Sequence, residues 1–204
     1  MGNPHYWLNP YNGRIMAGTI YNRLIELYPD KKEIFQANLK QFKHELDIKM
    51  FGNELVNRFG AETLWNLHEN NKLEEYLKQK ALESISGGWY KKMLPHKGKA
   101  MITYHKSWNY FVHCFGLKIP VEFEPIPGIP PSPSHLEDVI NLAKNQKIRL
   151  IVVEPFYGRK SADKVAESIG GKALVLANSV EGSKDAVDYI SLIDIIVNEI
   201  ADNI

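Results

Sequence analysis

Seven histidines, one cysteine and a few well-placed carboxylates are the side chains of this 204-residue chain with chemistry to offer. His105 follows the apolar run Ala100-Met101-Ile102-Thr103-Tyr104 and precedes Lys106-Ser107-Trp108, so it stands where a strand ends and a helix begins. Open parallel sheets bind ligands outside the carboxyl ends of their strands. That placement makes His105 a candidate ligand; a helix-capping or packed core histidine fits the same position. His5 lies in Asn3-Pro4-His5-Tyr6-Trp7-Leu8-Asn9-Pro10, a loop stiffened by two prolines. A pre-fixed imidazole loses less entropy on binding, which suits a metal ligand. Taken by itself, however, this loop favours a turn histidine stacked on Trp7.

The carboxylates divide in the same way. Asp188 precedes the last helical pattern, where an N-cap or a metal ligand serves equally well, and Asp185 competes with it. Glu154 ends another apolar run. It could be a ligand, an acceptor for a histidine N–H, or the partner of Arg159. Cys114 alone allows no intramolecular disulfide and no CxxC metal site; it reads as a small buried hydrophobe. No G-x-S-x-G, GxGxxG or P-loop is present, and Gly170-Gly171 reads as a helix stop. His44, His68, His96, His113 and His135 have no partner at ligand spacing and read as surface or packing residues.

Regular elements must hold these groups. Ala17, Ile20, Tyr21, Leu24, Ile25 and Tyr28 recur at helical spacing until Pro29. Asp30, with Glu33, is expected to cap a second helix running to about Met50, with Ile34, Phe35, Leu39, Phe42 and Leu46 as its stripe. Residues 51–95 read as two or three short helices broken at Gly60, Gly87 and Gly88. Beyond Lys99 the pattern changes. Apolar runs at 100–104, 118–123, 148–153 and 173–176 alternate with helical patterns at 107–116, 134–145 (capped by Ser134), 161–169 and from Tyr189 onward. Strand–helix alternation with continuous apolar strands predicts an α/β fold: a parallel four-stranded sheet with helices on both faces. Glu124 to Pro133 contains five prolines and is expected to be a stiff loop on that sheet.

Composition excludes other classes. Twenty-five basic and 24 acidic residues leave a net charge of +1, which argues against a nucleic-acid partner. No run approaches the roughly 18 apolar residues of a membrane span. Met1 to Pro10 has neither the basic nor the apolar region of a signal peptide; Met-Gly directly before a dense motif reads as a cut point with further sequence expected upstream.

Five motifs combine in order. Asn3-Pro4-His5-Tyr6-Trp7-Leu8-Asn9-Pro10 resembles the [D/N]PHxWLDP signature of cluster A-I solute-binding proteins, the zinc and manganese receptors of bacterial ABC importers. Thr103-Tyr104-His105-Lys106-Ser107-Trp108-Asn109-Tyr110-Phe111 is similar to their second signature. Pro127-Gly128-Ile129-Pro130-Pro131-Ser132, Glu154-Pro155-Phe156-Tyr157 and Asp188-Tyr189-Ile190-Ser191-Leu192 resemble the later loops. The resemblance implies two α/β lobes joined by a long helix. It divides the chain into 1–29, the tail of a mostly missing N-terminal lobe; 30–50, the interlobe helix; 51–98, a helical insertion; and 99–204, the C-terminal metal-binding lobe. It implies His5, His105 and Asp188 as metal ligands, with a further histidine from the missing lobe. Asn9 replaces the signature's usual Asp, which is not a ligand.

Three imidazoles and a carboxylate would favour Zn²⁺, with Mn²⁺ as the alternative. The function so implied is capture of a divalent metal between two lobes and delivery to a membrane permease, without catalysis. A periplasmic or extracellular monomer is expected, lipid-anchored or soluble. Two alternatives accompany it: a zinc hydrolase with Glu154 as base, and a surface adhesin or structural lobe whose histidines are incidental.

Overall fold

The helical spacing near the start of the chain is realised, but it buries less than its stripe suggests. In this computed structural model, which describes residues 2–204, α1 spans Pro10–Leu27 and α2 spans Lys32–Phe51. Asn9 caps α1: its side-chain oxygen accepts from the Tyr11 N–H at 2.9 Å, and Pro10 fills a first-turn position that needs no N–H. The expected Asp30 cap of α2 does not form. Pro29–Lys31 make a 3-10 turn instead, and Lys31 becomes an N-cap with no side-chain hydrogen bond. Pro29 presets φ for a tight turn, which draws Asp30 into it.

The two helices pack on each other. Leu46 and Met50 are buried, whereas Ile15, Ile20, Leu27, Tyr28 and Ile34 stay between 49% and 59% exposed. Helices α3 (Asn53–Phe59), α4 (Ala61–Glu69), α5 (Leu73–Gln79) and α6 (Gly88–Met93) follow, with α3, α4 and α6 in contact with α2. Phe51, Leu64, Trp65 and Trp89 form their core. Gly88, at φ +60°, must be glycine: a Cβ there would lie 2.2 Å from the Lys49 carbonyl oxygen, so the close approach of α6 to α2 depends on its absence. Residues 9–95 make one compact unit.

The other unit joins the segment ending at Leu8 to His96–Ile204. Residues 2–8 therefore pack with the C-terminal residues. Strands β1 (Ile102–Thr103), β2 (Leu150–Val153) and β3 (Lys172–Val175) form a parallel sheet in that order, with Ile102 opposite Ile151 and Ile151 opposite Ala173. The sheet has three strands, not four. The run 118–123 pairs with β1 and the residues before it at isolated parallel bridges, Ala100 with Lys118 and Thr103 with Glu122. Pro120 sits between these bridges without an N–H to donate, so the ladder breaks there.

Helices α7 (Asn109–Phe115), α8 (Pro133–Gln146), α9 (Lys160–Ile169) and α10 (Tyr189–Asn203) complete the unit. Ile102, Tyr104, Ile151 and Val153 cluster with Val139, Ala143, Ala162 and Val165 of α8 and α9. Alternate strand residues point the other way, and every residue of β2 is buried, so both faces of the sheet are covered. The cap of α8 is Ser132, not Ser134: its hydroxyl accepts from the His135 N–H, and Pro133 takes the first-turn position.

Candidate metal centre

His5 and His105 meet within the second unit. Their rings lie edge to face, with centroids 5.4 Å apart. His105 is the second residue past β1 and opens a 3-10 turn at Lys106–Trp108. Its Nδ1 donates to Glu124 Oε2 at 2.5 Å. Glu124 is buried; its other oxygen accepts the Gly128 N–H at 3.1 Å, and the Tyr157 hydroxyl donates to Oε2 at 3.4 Å. The Glu124 main chain is itself held beside β1, its N–H donating to the Tyr104 carbonyl oxygen at 2.9 Å. An ionised carboxylate only accepts, so the His105 proton resides on Nδ1 and the Nε2 lone pair is available.

His5 is prepared in the same way. Asn3 Oδ1 accepts both the His5 backbone N–H (3.0 Å) and His5 Nδ1–H (2.8 Å), while Asn3 Nδ2 donates to the Lys106 carbonyl oxygen at 2.6 Å. One amide therefore orients His5 and ties its loop to the backbone next to His105. Trp7 anchors the loop further on: Nε1 donates to the Asn178 carbonyl oxygen at 2.7 Å, and the Tyr189 hydroxyl donates to the Trp7 carbonyl oxygen at 2.6 Å. Trp7 also lies against His5, with centroids 5.4 Å apart, but the rings are tilted by 57° and not stacked as the turn reading expected. Burial, then the neighbouring His105, lowers the His5 pKa and keeps that imidazole neutral, the form that coordinates metal.

The carboxylates take different places. Asp188 is exposed and caps α10, its Oδ1 accepting the Ser191 N–H at 2.7 Å while Ser191 Oγ accepts the Asp188 N–H. Among the described residues, His5, His105 and Asp188 do not form a group with all ligand atoms within 4.8 Å of one another. Asp185 is likewise exposed. Glu154 is fully buried; Oε1 accepts Trp108 Nε1–H at 3.2 Å and Oε2 has no partner. Burial raises its pKa against the opposing hydrogen bond from Ser107. The salt bridge considered for Glu154 is absent, since Arg159 pairs with Asp163 at 2.9 Å, one helical turn on.

Glu124 and Asn3 are the residues that sequence reasoning missed. An Asn two positions before a histidine is a signal for a side-chain turn around it. Glu124 carried no such signal, because its partner lies 19 residues away. The arrangement offers two imidazoles, each with Nδ1 committed to an oxygen and Nε2 left for a cation. Such outer hydrogen bonds fix tautomer and ring orientation at metal sites.

Known proteins share this architecture. The family described as "Zinc-uptake complex component A periplasmic" matches residues 2–49 and 71–203. The high-affinity zinc uptake system protein ZnuA of Bacillus subtilis (strain 168) is 26% identical over 191 residues, covering 91% of this chain and 47% of that protein. The zinc-binding lipoprotein AdcA of Streptococcus pneumoniae (strain R6) is 23% identical over 196 residues, covering 94% of this chain and 32% of that protein. A crystal structure of ZnuA superposes with a TM-score of 0.70 at 25% identity, covering 100% of this chain and 62% of that one. A manganese-bound periplasmic metal-binding protein from Candidatus Liberibacter asiaticus shares the fold at a TM-score of 0.63 and 20% identity, covering 98% of this chain and 62% of that one. The chain spans about half the length of the curated ZnuA relatives it matches, 47% and 49% for two of them. With two of its helical and strand signatures built around His5 and His105, and a family match over most of its length, the chain belongs to the ZnuA family of zinc-uptake components.

Proposed function

We propose that this chain is the C-terminal part of the extracytoplasmic binding component of a metal ABC importer. His5 and His105 are its imidazole ligands, and Asp188 is the acidic one. One observation carries the reading: two neighbouring histidines present uncommitted Nε2 atoms, while Glu124 and Asn3 hold their Nδ1 protons. The cargo is a divalent cation. Imidazole-rich coordination favours Zn²⁺ over Mn²⁺, which prefers oxygen-rich sites. A further histidine would come from the part of the protein that the longer relatives possess beyond the matched span. The exposed apolar residues Ile15, Ile20 and Ile34 support such an additional lobe, and α2 fits the role of the helix joining it to this one.

The protein delivers metal to a membrane permease and catalyses nothing itself. Glu154, the base a hydrolytic reading would need, is buried beneath Trp108, which gives that reading no support. Among the described residues no helix is long and apolar enough to cross a membrane. An extracytoplasmic location follows the family, and attachment to a lipid anchor is compatible with it.

Zinc titration by calorimetry tests the assignment. The chain should bind Zn²⁺ weakly, with a 1:1 stoichiometry that His105→Ala abolishes. Unchanged affinity in that variant would remove His105 from the ligand set. A preference for Mn²⁺ would overturn the metal choice but leave the site standing.

A further inference from the structure

The metal centre lies at the carboxyl edge of the sheet. At the opposite edge, before β1 and β2, the same unit opens a cavity of about 450 Å³. Its floor is apolar, built from Ala100, Ile148 and Leu150, and its rim carries Lys99, Lys118, Lys147 and Arg149. No acidic side chain lines it, although Ile204, whose main-chain oxygen accepts from Lys99, is part of the lining. In a chain of 25 basic and 24 acidic residues, so one-sided a concavity is not explained by composition.

Part of this charge answers the fold itself. Helices α8 and α10 end at this edge, and cations neutralise the partial negative charge of helix C-termini. Lys99 serves in this way, its Nζ donating to the Ile204 main-chain oxygen at 3.0 Å. Lys118, Lys147 and Arg149 form no ion pair or side-chain hydrogen bond among the described residues. All three are exposed, and at two of them the backbone position is fixed by the fold. Lys147 closes α8 in the left-handed conformation, φ +56° and ψ +34°, a position where glycine is the usual residue. A lysine there carries a backbone cost that glycine would not. Arg149 immediately precedes β2, and its carbonyl oxygen packs so tightly on Gly171 that a Cβ on Gly171 would lie 2.1 Å away. That oxygen also accepts the Lys172 N–H at 2.7 Å.

We infer that this cavity is a second binding site, for a phosphate-bearing anion gripped by Lys118, Lys147 and Arg149 and separate from the metal centre. The planar guanidinium of Arg149 can take two phosphate oxygens at once, and the ammonium groups add charge without fixing geometry. The apolar floor leaves room for the body of an ester behind the phosphate. Phosphate of this kind is offered by a free pyrophosphate or by an anionic lipid headgroup.

The experiment uses the whole chain, titrated with pyrophosphate and followed by amide NMR shifts, alongside co-sedimentation with phosphatidylglycerol-containing and pure phosphatidylcholine vesicles. Saturable shifts are expected at residues 118, 147 and 149, weakening as salt rises. Arg149→Ala should weaken binding about tenfold, the effect of losing one charge-assisted contact. Lys147→Gly is the decisive variant: it should weaken binding while raising the unfolding temperature, because glycine suits the left-handed position. A purely structural lysine would not separate the two readouts. Saturation by pyrophosphate without vesicle capture assigns the site to a soluble phosphate, and capture by phosphatidylglycerol-containing but not pure phosphatidylcholine vesicles assigns it to a lipid headgroup. Absence of saturation in both arms, or binding indifferent to Lys147→Gly and Arg149→Ala, overturns the inference. Zinc binding should be unchanged in both variants, which keeps this result independent of the metal assignment.

Discussion

Each compact unit buries charge, and the two do it to opposite ends. In residues 9–95, Arg14 is buried with Asp47 at 2.9 Å and reaches Glu62 at 2.7 Å, while Trp65 Nε1 donates to the same Asp47 oxygen at 2.6 Å. Arg14 Nε, Arg14 Nη2 and Trp65 Nε1 each have a carboxylate acceptor. In the other unit, Glu124 and Asn3 satisfy only one side of each imidazole, and Glu154 keeps an unpaired oxygen. Buried polar groups left incomplete are costly. The contrast separates a network closed within the fold from one that leaves Nε2 of each imidazole open, the feature on which the proposed metal site rests.

Breaking the closed network should cost the most. Asp47→Ala removes the acceptor shared by Arg14 Nε and Trp65 Nε1 and leaves the buried guanidinium only the exposed Glu62; removing one partner of a buried pair costs about 3 kcal/mol. Urea denaturation should register that loss, and a change under about 1 kcal/mol would mean the network is not structural. In the open network the corresponding change acts on binding. His105→Ala should reduce zinc affinity by at least about a hundredfold, beyond the range of an outer hydrogen-bond partner, while stability changes little. Glu124→Gln keeps the shape but lets the His105 tautomer drift. Zinc affinity should fall roughly 10- to 100-fold, read by the same titration; an unaltered constant would show that Glu124 does not orient the ring.

The smallest effect sharpens the comparison from within the closed unit. Tyr90 is buried there with a hydroxyl that has no partner. Burial, then the charge of Glu74, raises its pKa. An unfolded tyrosine ionises near about pH 10, so above that pH the unfolded chain loses a proton that the folded one keeps. Stability therefore declines as the pH climbs. Tyr90→Phe should leave stability at neutral pH unchanged or up to about 1 kcal/mol higher, and should flatten part of the alkaline decline in thermal unfolding.

Much of this was legible along the chain. The strand-end position of His105 and the helix start at Asp188 sit where local patterning put them, whereas the segment expected to be a loop around His5 turns into a 3-10 helix at Tyr6–Leu8 and its second proline opens α1. Helical spacing also marked α1, α2 and α10. Local chemistry misled where a neighbouring proline changed the geometry: Pro29 drew Asp30 out of its cap, Pro133 moved the α8 cap back to Ser132, and Pro120 broke the fourth strand.

The sequence alone determined which residues have the right types and local shapes, because periodicity, capping and turn chemistry act over a few residues. It named two imidazoles and a strand edge. Only the tertiary structure decided that Glu124 holds His105, that Asn3 clips His5 to the Lys106 carbonyl 103 residues away, and that Glu154 lies beneath Trp108. Those partners are chosen by closing the chain in space, and a carboxylate distant in sequence carries no local sign of which donor it will meet.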